Sequence, residues 1–322
     1  MKKVLITGAA GFIGFHLAKH LKKLGHFVIG LDNFNNYYLP TLKEDRKHKL
    51  IQQDIPIVLG DIQDSSLISD LIEKNEITHV VHLAAQAGVR HSFTHPHDYI
   101  DSNITGFVCL LEALKNKPKT KLVFASSSSV YGLTQEIPFK ENTCTDTPTN
   151  LYGATKKAGE ALAFSYHHLY QIPMIGLRFF TVYGPWGRPD MAYFQFTKNI
   201  LEGKPIKVFN HGDMKRDFTY IDDIIEGTTN ALDLCSGYDI FNLGNKKPVS
   251  VLTMIEILEN LLEKKAEKQM LPFQSGEMQK TFASIAKSNS LLNFFPKTSL
   301  EEGLKQFVYW YKEYFSCISI PQ

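Results

Sequence analysis

The chain has 322 residues, of which 43% are hydrophobic and 21% are charged, and its formal net charge is +2. This length suits one large α/β domain with a smaller companion, and the composition is that of a globular protein with a sizeable core. The near-neutral charge leaves no electrostatic footprint for nucleic acid, and no apolar run approaches the roughly 18 residues of a membrane-spanning helix.

The cysteines and one basic run exclude further kinds of site. The basic run at 43–49 is interrupted by Glu44 and Asp45, so we interpret it as a solvated face without function. The cysteines are widely spaced and form no CxxC pair, which argues against zinc, iron–sulfur clusters and a disulfide framework. We therefore expect no metal site and a reducing, cytoplasmic environment. The residues concerned are Cys109, Cys144, Cys235 and Cys317.

Short runs of β-branched and apolar residues recur along the first half of the chain, and a helix-like stretch follows each run. Continuous apolar runs of this length are typical of strands buried on both faces, as in a parallel sheet covered by helices. The pattern predicts an α/β fold with a doubly wound parallel sheet of the Rossmann type and helices on both faces. The runs are 4–6, 27–29, 57–59, 80–83, 122–125 and 174–177.

The rhythm changes after about Arg178. Loops rich in Gly, Pro and aromatic residues follow, then predicted helices near 192–202 and 251–264, and a last helix over about 299–314 that begins with a capping-box-like Ser-Leu-Glu-Glu. We predict one domain over residues 1–178, to which a segment near 216–244 returns. A smaller α/β domain, mainly 179–322, should cover a substrate.

A glycine-rich turn follows the first predicted strand and opens the first helix. Glycines allow a tight turn there and let backbone N–H groups approach a pyrophosphate. The next strand ends at Asp32, about 20 residues further on, where a carboxylate accepts ribose hydroxyls and repels a 2′-phosphate. Asp32 alone could be a turn cap, but its register with the glycines predicts an NAD site. The residues expected at the pyrophosphate are Gly8, Gly11, Phe12, Ile13 and Gly14.

Two further segments fall where later strands should end. Asp61 and Ile62 follow the third strand, although Asp61 could instead cap the helix that begins near Asp64. Small side chains after the fourth strand would let a dinucleotide lie close to the backbone. The additional residues expected to bind the cofactor are therefore Asn33, Asp61, Ile62, Leu83, Ala84 and Ala85.

A serine run ends the fifth strand, and Tyr152 and Lys156 follow on a predicted helix. Residues at i and i+4 share one helical face, so the ammonium can lower the pKa of the phenol, and a tyrosinate can then remove a hydroxyl proton while hydride leaves the same carbon. A packed tyrosine beside a solvated lysine is the alternative. Because alternate side chains near a strand end face opposite ways, we assign the reactive hydroxyl to Ser127 first and Ser129 second.

These motifs resemble the extended short-chain dehydrogenase/reductase superfamily, and within it the sugar-nucleotide epimerases of the NAD-dependent epimerase/dehydratase family. The resemblance spans essentially the whole chain and includes GAAGFIG, HLAAQAGVR, SSSSVYG and YGATK. Two segments, 178–191 and 216–223, are most similar to enzymes that epimerise UDP-glucuronate at C4.

The resemblance implies a hydride cycle without net oxidation, in which UDP-glucuronate and UDP-galacturonate interconvert while NAD stays bound. Tyr152 would take the proton of the C4 hydroxyl, and the 4-keto sugar would turn over before it is reduced on its other face. Tyr152 and Lys156 would also contact the cofactor. A homodimer through helices within 96–116 and 152–170 is a further expectation.

The resemblance also assigns substrate contacts. Thr181 should touch the hexose, Arg188 should face its carboxylate, and Arg216 should bind the phosphates, for which a guanidinium fork is suited. A 4-keto uronate is a β-keto acid that loses carbon dioxide when its C–COO bond aligns with the carbonyl π system. Arg188 could hold that bond out of alignment; a surface ion pair is the alternative role.

One segment departs from the family pattern. A QPGD-like turn and an Ala-Asp pair usually help to hold the nucleotide, whereas this chain has QSGE at 274–277 and Ala283-Ser284. Glu277 can still accept bonds from ribose hydroxyls, but the uridine contacts stay open.

Other functions remain to be weighed. A 4,6-dehydratase would need a carboxylate beside the central serine, and 127–129 contains none. A decarboxylating UDP-xylose synthase shares the oxidation and the carboxylate recognition, and a UDP-glucose/galactose 4-epimerase shares everything except the carboxylate. A dinucleotide-sensing regulator could use the same fold, although Ser127, Tyr152 and Lys156 in register argue against it.

Overall fold

Parallel strand pairing organises the molecule, whose computed structural model describes residues 1–274, 276 and 278–318. The strands are β1 (Lys3–Thr7), β2 (Phe27–Asp32), β3 (Ile57–Leu59), β4 (His79–His82), β5 (Lys121–Ser127), β6 (Met174–Phe179), β7 (Thr181–Tyr183), β8 (Ile206–Val208), β9 (Lys215–Tyr220), β10 (Tyr238–Leu243), β11 (Pro248–Ser250) and β12 (Lys268–Met270). A seven-stranded sheet has the order β10-β6-β5-β4-β1-β2-β3, and each neighbouring pair in it is parallel.

Helices cover both faces of this sheet. They are α1 (Phe12–Lys23), α2 (Pro40–Ile51), α3 (Ser65–Lys74), α4 (Pro96–Ile100), α5 (Gly106–Lys115), α6 (Leu151–Tyr170), α7 (Ala192–Glu202), α8 (Ile221–Leu234), α9 (Val251–Leu262), α10 (Ala286–Leu292) and α11 (Leu300–Ile318). Val4 and Ile6 of β1 belong to one buried cluster and Leu5 to the other, because successive side chains of a strand point to opposite faces. The predicted doubly wound α/β fold is confirmed.

The remaining strands form two smaller sheets. β9 pairs in parallel with β7 and antiparallel with β11, while β12 pairs in parallel with β8. β10 leaves this region and extends the main sheet beside β6. We propose that the first domain ends at residue 178 and that α8 and β10, although they follow this boundary in sequence, also belong to it.

The helices begin close to the predicted positions, although α9 ends at Leu262 instead of 264 and α11 continues to Ile318 instead of ending near 314. α7 spans the expected residues, and the Ser299 hydroxyl accepts the backbone N–H of Glu302 at 3.1 Å, which is half of the expected capping box. No helix in the described part of the chain is long and apolar enough to cross a membrane.

A buried ion pair joins α6 to β6 beneath the carboxyl edge of the sheet. Arg178 donates from Nε to Glu160 Oε1 at 2.8 Å and from Nη2 to Oε2 at 2.9 Å, and the two side chains are 5% and 6% exposed. The Ser126 hydroxyl donates to Glu160 at 2.6 Å, and the Tyr131 hydroxyl accepts from Arg178 Nη1 at 3.0 Å. The charges are therefore enclosed by hydrogen bonds as well as by each other.

Glu160→Ala should strongly destabilise the fold, because it leaves the Arg178 guanidinium buried without its counter-charge. We expect the free energy of unfolding to fall by about 3–5 kcal/mol, measured by urea denaturation. Glu73→Ala is the matched control, since Glu73 is 70% exposed and pairs with Lys117 at 3.3 Å on the surface. Equal losses for the two variants would contradict this account of the buried pair.

Candidate active site

A cleft of about 1050 Å³ opens at the carboxyl ends of the main strands. The chain runs from β1 outwards to β2 and β3 and then returns to β4 on the other side of β1. In doubly wound sheets, ligands bind in the crevice that such a reversal creates. Residues of the smaller sheets, among them Thr181 and Arg216, line the same cleft from the opposite side.

The glycine turn brings backbone against backbone at the floor of the cleft. Gly8 has a φ of +72°, and a Cβ there would lie 2.7 Å from the backbone nitrogen of Ala84. A Cβ on Gly14 would lie 2.2 Å from the carbonyl oxygen of Gly8, so α1 could not approach the turn. Gly11 caps α1 without any side-chain hydrogen bond, which leaves the helix N-terminus suited to an anion.

Asp32 lies at the end of β2 with its carboxylate anchored by backbone. Oδ2 accepts the N–H of Ala10 and Oδ1 that of Phe34, both at 2.9 Å. The side chain lines the cleft although the residue is only 8% exposed. A carboxylate fixed in this way has further lone pairs for ribose hydroxyls.

The next cofactor candidates are distributed along the same edge. Asp61 accepts the amide of Asn33 at 2.8 Å and the backbone N–H of Gln63 at 2.9 Å. Asp64, not Asp61, caps α3 by accepting the N–H of Leu67 at 2.9 Å. The remaining candidates line the cleft and include Phe12, Ile13, Asn33, Ile62, Leu83, Ala84 and Ala85.

The interpretation of 43–49 as a solvated face is wrong for two of its residues. Lys43 is 5% exposed, and its ammonium donates to the backbone and side-chain oxygens of Asn35 at 2.7 and 2.6 Å. Burial lowers its pKa to about 8, against the opposing charge of Asp32. The buried positions Leu42, Lys43, Arg46 and Leu50 follow a helical period along α2, a signal that the interrupting acidic residues concealed.

Arg46 is fully buried and joins two loops. Its Nη1 donates to the carbonyl of Ala10 in the glycine turn at 2.9 Å, and Nη2 donates to the carbonyl of Gly187 at 3.2 Å. Since Gly187 precedes Arg188, this guanidinium connects the dinucleotide turn to the loop expected to contact the sugar. Sequence spacing carried no sign of this contact, which spans 141 positions.

The serine run divides into two pairs. Ser126 turns away to Glu160, whereas Ser127 and Ser128 are both buried, at 7% and 8% exposure. Ser127 accepts the backbone N–H of Ser129 at 3.2 Å, and the two hydroxyl oxygens are 3.3 Å apart. The Ser127 hydroxyl also lies close enough to Tyr152 to lower the pKa of its phenol, so β5 and α6 bring a serine and the tyrosine together.

Lys156 lies one helical turn beyond Tyr152. Its ammonium donates to the carbonyl of Ala125 at 2.9 Å and lies 6.0 Å from the centre of the Tyr152 ring. Burial lowers the pKa of Lys156 to about 8. The side chain is therefore held at the end of β5, beside the tyrosine instead of in contact with its hydroxyl.

The pKa of Tyr152 differs in direction from the expected one. Burial raises it most, the nearby Ser127 hydroxyl and the charge of Arg188 lower it, and the charge of Asp190 raises it. The expected lowering by Lys156 is not among these influences, because its ammonium is directed to the Ala125 carbonyl. Two cations therefore lie near the phenol: Lys156 beside its ring, and Arg188, whose charge is opposed by that of Asp190.

The substrate candidates surround the outer part of the cleft. Thr181 begins β7, and Arg216 on β9 donates to the carbonyls of Lys215 and Gln279 at 3.1 and 3.2 Å. Arg188 forms an ion pair with Asp190, with its side chain 23% exposed. The pair lines the cleft and is not a surface pair.

The divergent turn is only partly described. Gly276 lines the cleft and its carbonyl accepts the side-chain amide of Asn150 at 2.9 Å. Ser275 and Glu277 lie outside the described residues, so the expectation about Glu277 is not addressed. Among the residues that the structure describes, no cluster of three or more His, Cys, Asp or Glu could hold a metal ion.

Comparisons with known proteins agree with this geometry. UDP-glucuronate 4-epimerase 3 of Arabidopsis thaliana is 50% identical over 97% of this chain and 77% of its own length. The crystal structure of UDP-glucuronic acid 4-epimerase from Bacillus cereus, in complex with UDP-glucuronic acid and NAD, has a TM-score of 0.92 and 39% identity and covers 97% of this chain and 99% of that chain. UDP-glucose 4-epimerase of Thermotoga maritima has a TM-score of 0.88 and 27% identity, with the same shares covered.

The family model agrees with the individual relatives. The model described as the NAD dependent epimerase/dehydratase family matches residues 4–244, which include the glycine turn, the serine run and the Tyr152–Lys156 pair. The chain belongs to the NAD-dependent epimerase/dehydratase family.

Proposed function

We propose that the protein is a UDP-glucuronate 4-epimerase, which interconverts UDP-glucuronate and UDP-galacturonate. The observation that carries the proposal is the position of Arg188, whose guanidinium lines the cleft of Tyr152 and acts on its pKa. A carboxylate-binding group is thereby placed beside the hydroxyl-activating group. Relatives that act on the uronate share about half of this sequence.

The residues present fit NAD. The uncapped start of α1 and the close approach at Gly8 suit a pyrophosphate, and Asp32 suits the adenosine ribose because its carboxylate lines the cleft. Bound NAD supplies the acceptor and donor of the hydride at C4. The edge from Ile62 to Ala84 provides an apolar surface for the rest of the dinucleotide.

The proton at the reacting oxygen is handled by residues of the chain. Tyr152 accepts the proton of the C4 hydroxyl and returns it after the sugar has turned over. Ser127 hydrogen-bonds the same oxygen, and Ser129 in turn contacts Ser127. Lys156, anchored on Ala125, supplies a positive charge on the side of the cleft where the phenolate forms.

The sugar nucleotide is held by the outer residues. Thr181 contacts the hexose, and Arg216 binds the phosphates with a guanidinium fork. Arg188 binds the carboxylate and keeps the C5–COO bond out of line with the carbonyl π system of the 4-keto intermediate. The carboxylate would otherwise be lost as carbon dioxide.

The competing functions find less support. A neutral hexose gives Arg188 no partner in the substrate, and the UDP-glucose 4-epimerase of Thermotoga maritima is only 27% identical. A decarboxylating enzyme would share the carboxylate contact, so the product must decide between the two. A non-catalytic regulator would not require the contact between Ser127 and Tyr152.

Purified protein incubated with UDP-glucuronate and no added NAD should form UDP-galacturonate, because the cofactor stays bound through the cycle. UDP-glucose and UDP-galactose should turn over far more slowly, and nucleotide chromatography separates the products. Tyr152→Phe should lose activity by about 10²–10⁴-fold, whereas Tyr309→Phe, on the exposed face of α11, should retain it. Formation of a pentose nucleotide as the main product would instead identify a decarboxylase.

Arg188→Lys should release more UDP-pentose than the parent enzyme, because an ammonium cannot hold a carboxylate in one plane through two parallel bonds. We expect the pentose share of the product to rise about tenfold, measured by chromatography of the products after equal conversion. An unchanged share would show that Arg188 does not control the C5–COO bond.

We also propose a homodimer through α6 and the chain from α4 to α5. Apolar side chains are exposed there, with Phe164 at 55%, Leu169 at 64% and Ile100 at 40%. Exposed apolar side chains on these helices would be covered if a second copy packed against them.

A cytoplasmic location is also proposed. In its support, Cys109, Cys144 and Cys235 are free thiols, as expected in a reducing compartment.

Phe164→Asp should convert the dimer into a monomer, because a carboxylate would be buried at the interface without a partner. Sedimentation velocity measures the change. Tyr309→Asp is the control, as Tyr309 is 65% exposed on α11, and it should leave the dimer intact. A parent protein that sediments as a monomer would refute the proposed dimer.

A further inference from the structure

Asp190 occupies one defined edge of the Arg188 guanidinium. Nε donates to Oδ1 at 3.0 Å and Nη2 donates to Oδ2 at 2.8 Å, which is a bidentate pair on the side-on edge. Within the described residues, Nη1 makes no hydrogen bond to another side chain or carbonyl. Nη2 also donates to Met191 Sδ at 3.7 Å, and a thioether is a weak acceptor. A second carboxylate that approaches the end-on edge formed by Nη1 and Nη2 would replace this weak contact with a stronger one.

Asp190 is itself fixed by a residue from the other side of the cleft. The Tyr37 hydroxyl donates to Asp190 Oδ2 at 3.1 Å, across 153 positions of sequence. The Tyr37 ring packs against His91 with centroids 4.8 Å apart. Burial and the charge of Asp190 raise the pKa of Tyr37, so the hydroxyl stays protonated and remains a donor.

Gly88 provides the space for this arrangement. Its φ is +96°, and a Cβ at this position would lie 2.3 Å from the Tyr37 hydroxyl and 3.5 Å from Asp190 Oδ2. A side chain there would displace Tyr37 from Asp190. The loops after β2, β4 and β7 therefore meet at Asp190, which in turn holds Arg188.

The charges of this pair explain why it orients a bound carboxylate more than it attracts one. Arg188 and Asp190 neutralise each other, so an approaching carboxylate meets a fixed hydrogen-bonding fork and little net positive charge. A mobile cation would attract the carboxylate more strongly but would follow it as it rotates. A locked fork restricts rotation, since bidentate pairing requires the carboxylate and the guanidinium to be close to coplanar.

We propose that Asp190 and Tyr37 are positioning residues that lock the plane of Arg188, so that the enzyme keeps the carboxylate of its 4-keto intermediate. The proposal rests on the proposed UDP-glucuronate 4-epimerase function and names what makes Arg188 effective. Neither residue touches the reacting atoms.

The reaction that the lock prevents is a defined one. When the C5–COO bond lies parallel to the carbonyl π orbitals, its electron pair moves to C5 and C4, carbon dioxide leaves, and an enolate forms at the C4 oxygen. A proton from water then adds to C5 to give the 4-keto pentose. Hydride returned to C4, together with the proton that Tyr152 returns to the C4 oxygen, yields a UDP-pentose. The released pentose therefore reports each failure of the lock.

Asp190→Asn and Tyr37→Phe are the test variants, because each keeps the shape of the side chain and removes a charge or a donor. We expect the UDP-pentose share of the product from UDP-glucuronate to rise about tenfold for Asp190→Asn and by a smaller factor for Tyr37→Phe. Both variants should retain NAD to within about twofold of the parent. Tyr37→Phe should also keep the single-turnover rate of C4 oxidation within about twofold, which a merely structural defect would not allow. Asp190→Asn is not held to that rate, because the charge of Asp190 also raises the pKa of Tyr152.

A double-mutant comparison separates the lock from other effects. In Arg188→Lys, adding Asp190→Asn should change the pentose share no further, because two residues that act through one contact are not additive. Glu202→Gln is the matched control, since Lys204 and Glu202 form a 2.7 Å ion pair with the same two-residue spacing and lie outside the residues lining the cleft. It should leave the share unchanged.

The outcomes distinguish the two proposals. If the parent enzyme makes UDP-galacturonate and Arg188→Lys releases pentose, while Asp190→Asn and Tyr37→Phe both match the parent, the lock is refuted and the epimerase function stands. A pentose increase of equal size in Glu202→Gln would also refute the lock. If the parent makes no UDP-galacturonate, the epimerase proposal fails and the lock fails with it. Should Asp190→Asn lose its fold or its NAD, Tyr37→Phe decides.

Discussion

The all-parallel pairing of the main sheet is the constraint on which the site depends. Because every strand points the same way, the loops that follow β1, β2, β4 and β5 all emerge at one edge. The dinucleotide turn, the ribose carboxylate and the reactive serine are therefore neighbours although they are far apart in sequence. The smaller sheets need only to cover this edge to enclose a substrate.

Local patterns account for the parts of the protein that the sequence predicted well. The buried strands, the turn from Gly8 to Gly14 and the spacing of Tyr152 and Lys156 each depend on a short period or on one backbone conformation. The contacts of Tyr37 with Asp190 and of Arg46 with Gly187 could not be predicted in this way, because the partners lie more than a hundred positions apart in sequence. The pKa direction of Tyr152 was also out of reach, since spacing does not encode burial.

Two arginine–carboxylate pairs serve different ends within one framework. Arg178 and Glu160 are enclosed by the protein, and the hydroxyls of Ser126 and Tyr131 provide further hydrogen bonds to them. Arg188 and Asp190 have the same bidentate geometry but lie at the cleft, where the other edge of the guanidinium meets the weak acceptor Met191 Sδ. Burial thus decides whether such a pair connects elements of the fold or presents a surface to a ligand.

Arg46 has a consequence for how this protein can change. One buried guanidinium holds the carbonyls of Ala10 and Gly187, so the turn beneath the dinucleotide and the loop beside the sugar share a single anchor. An exchange of residues 184–191 with those of another enzyme would have to preserve that carbonyl geometry or disturb cofactor retention. The loop that sets substrate preference is therefore coupled to the dinucleotide turn. An experiment that replaces residues 184–191 must also replace α2, which carries Arg46.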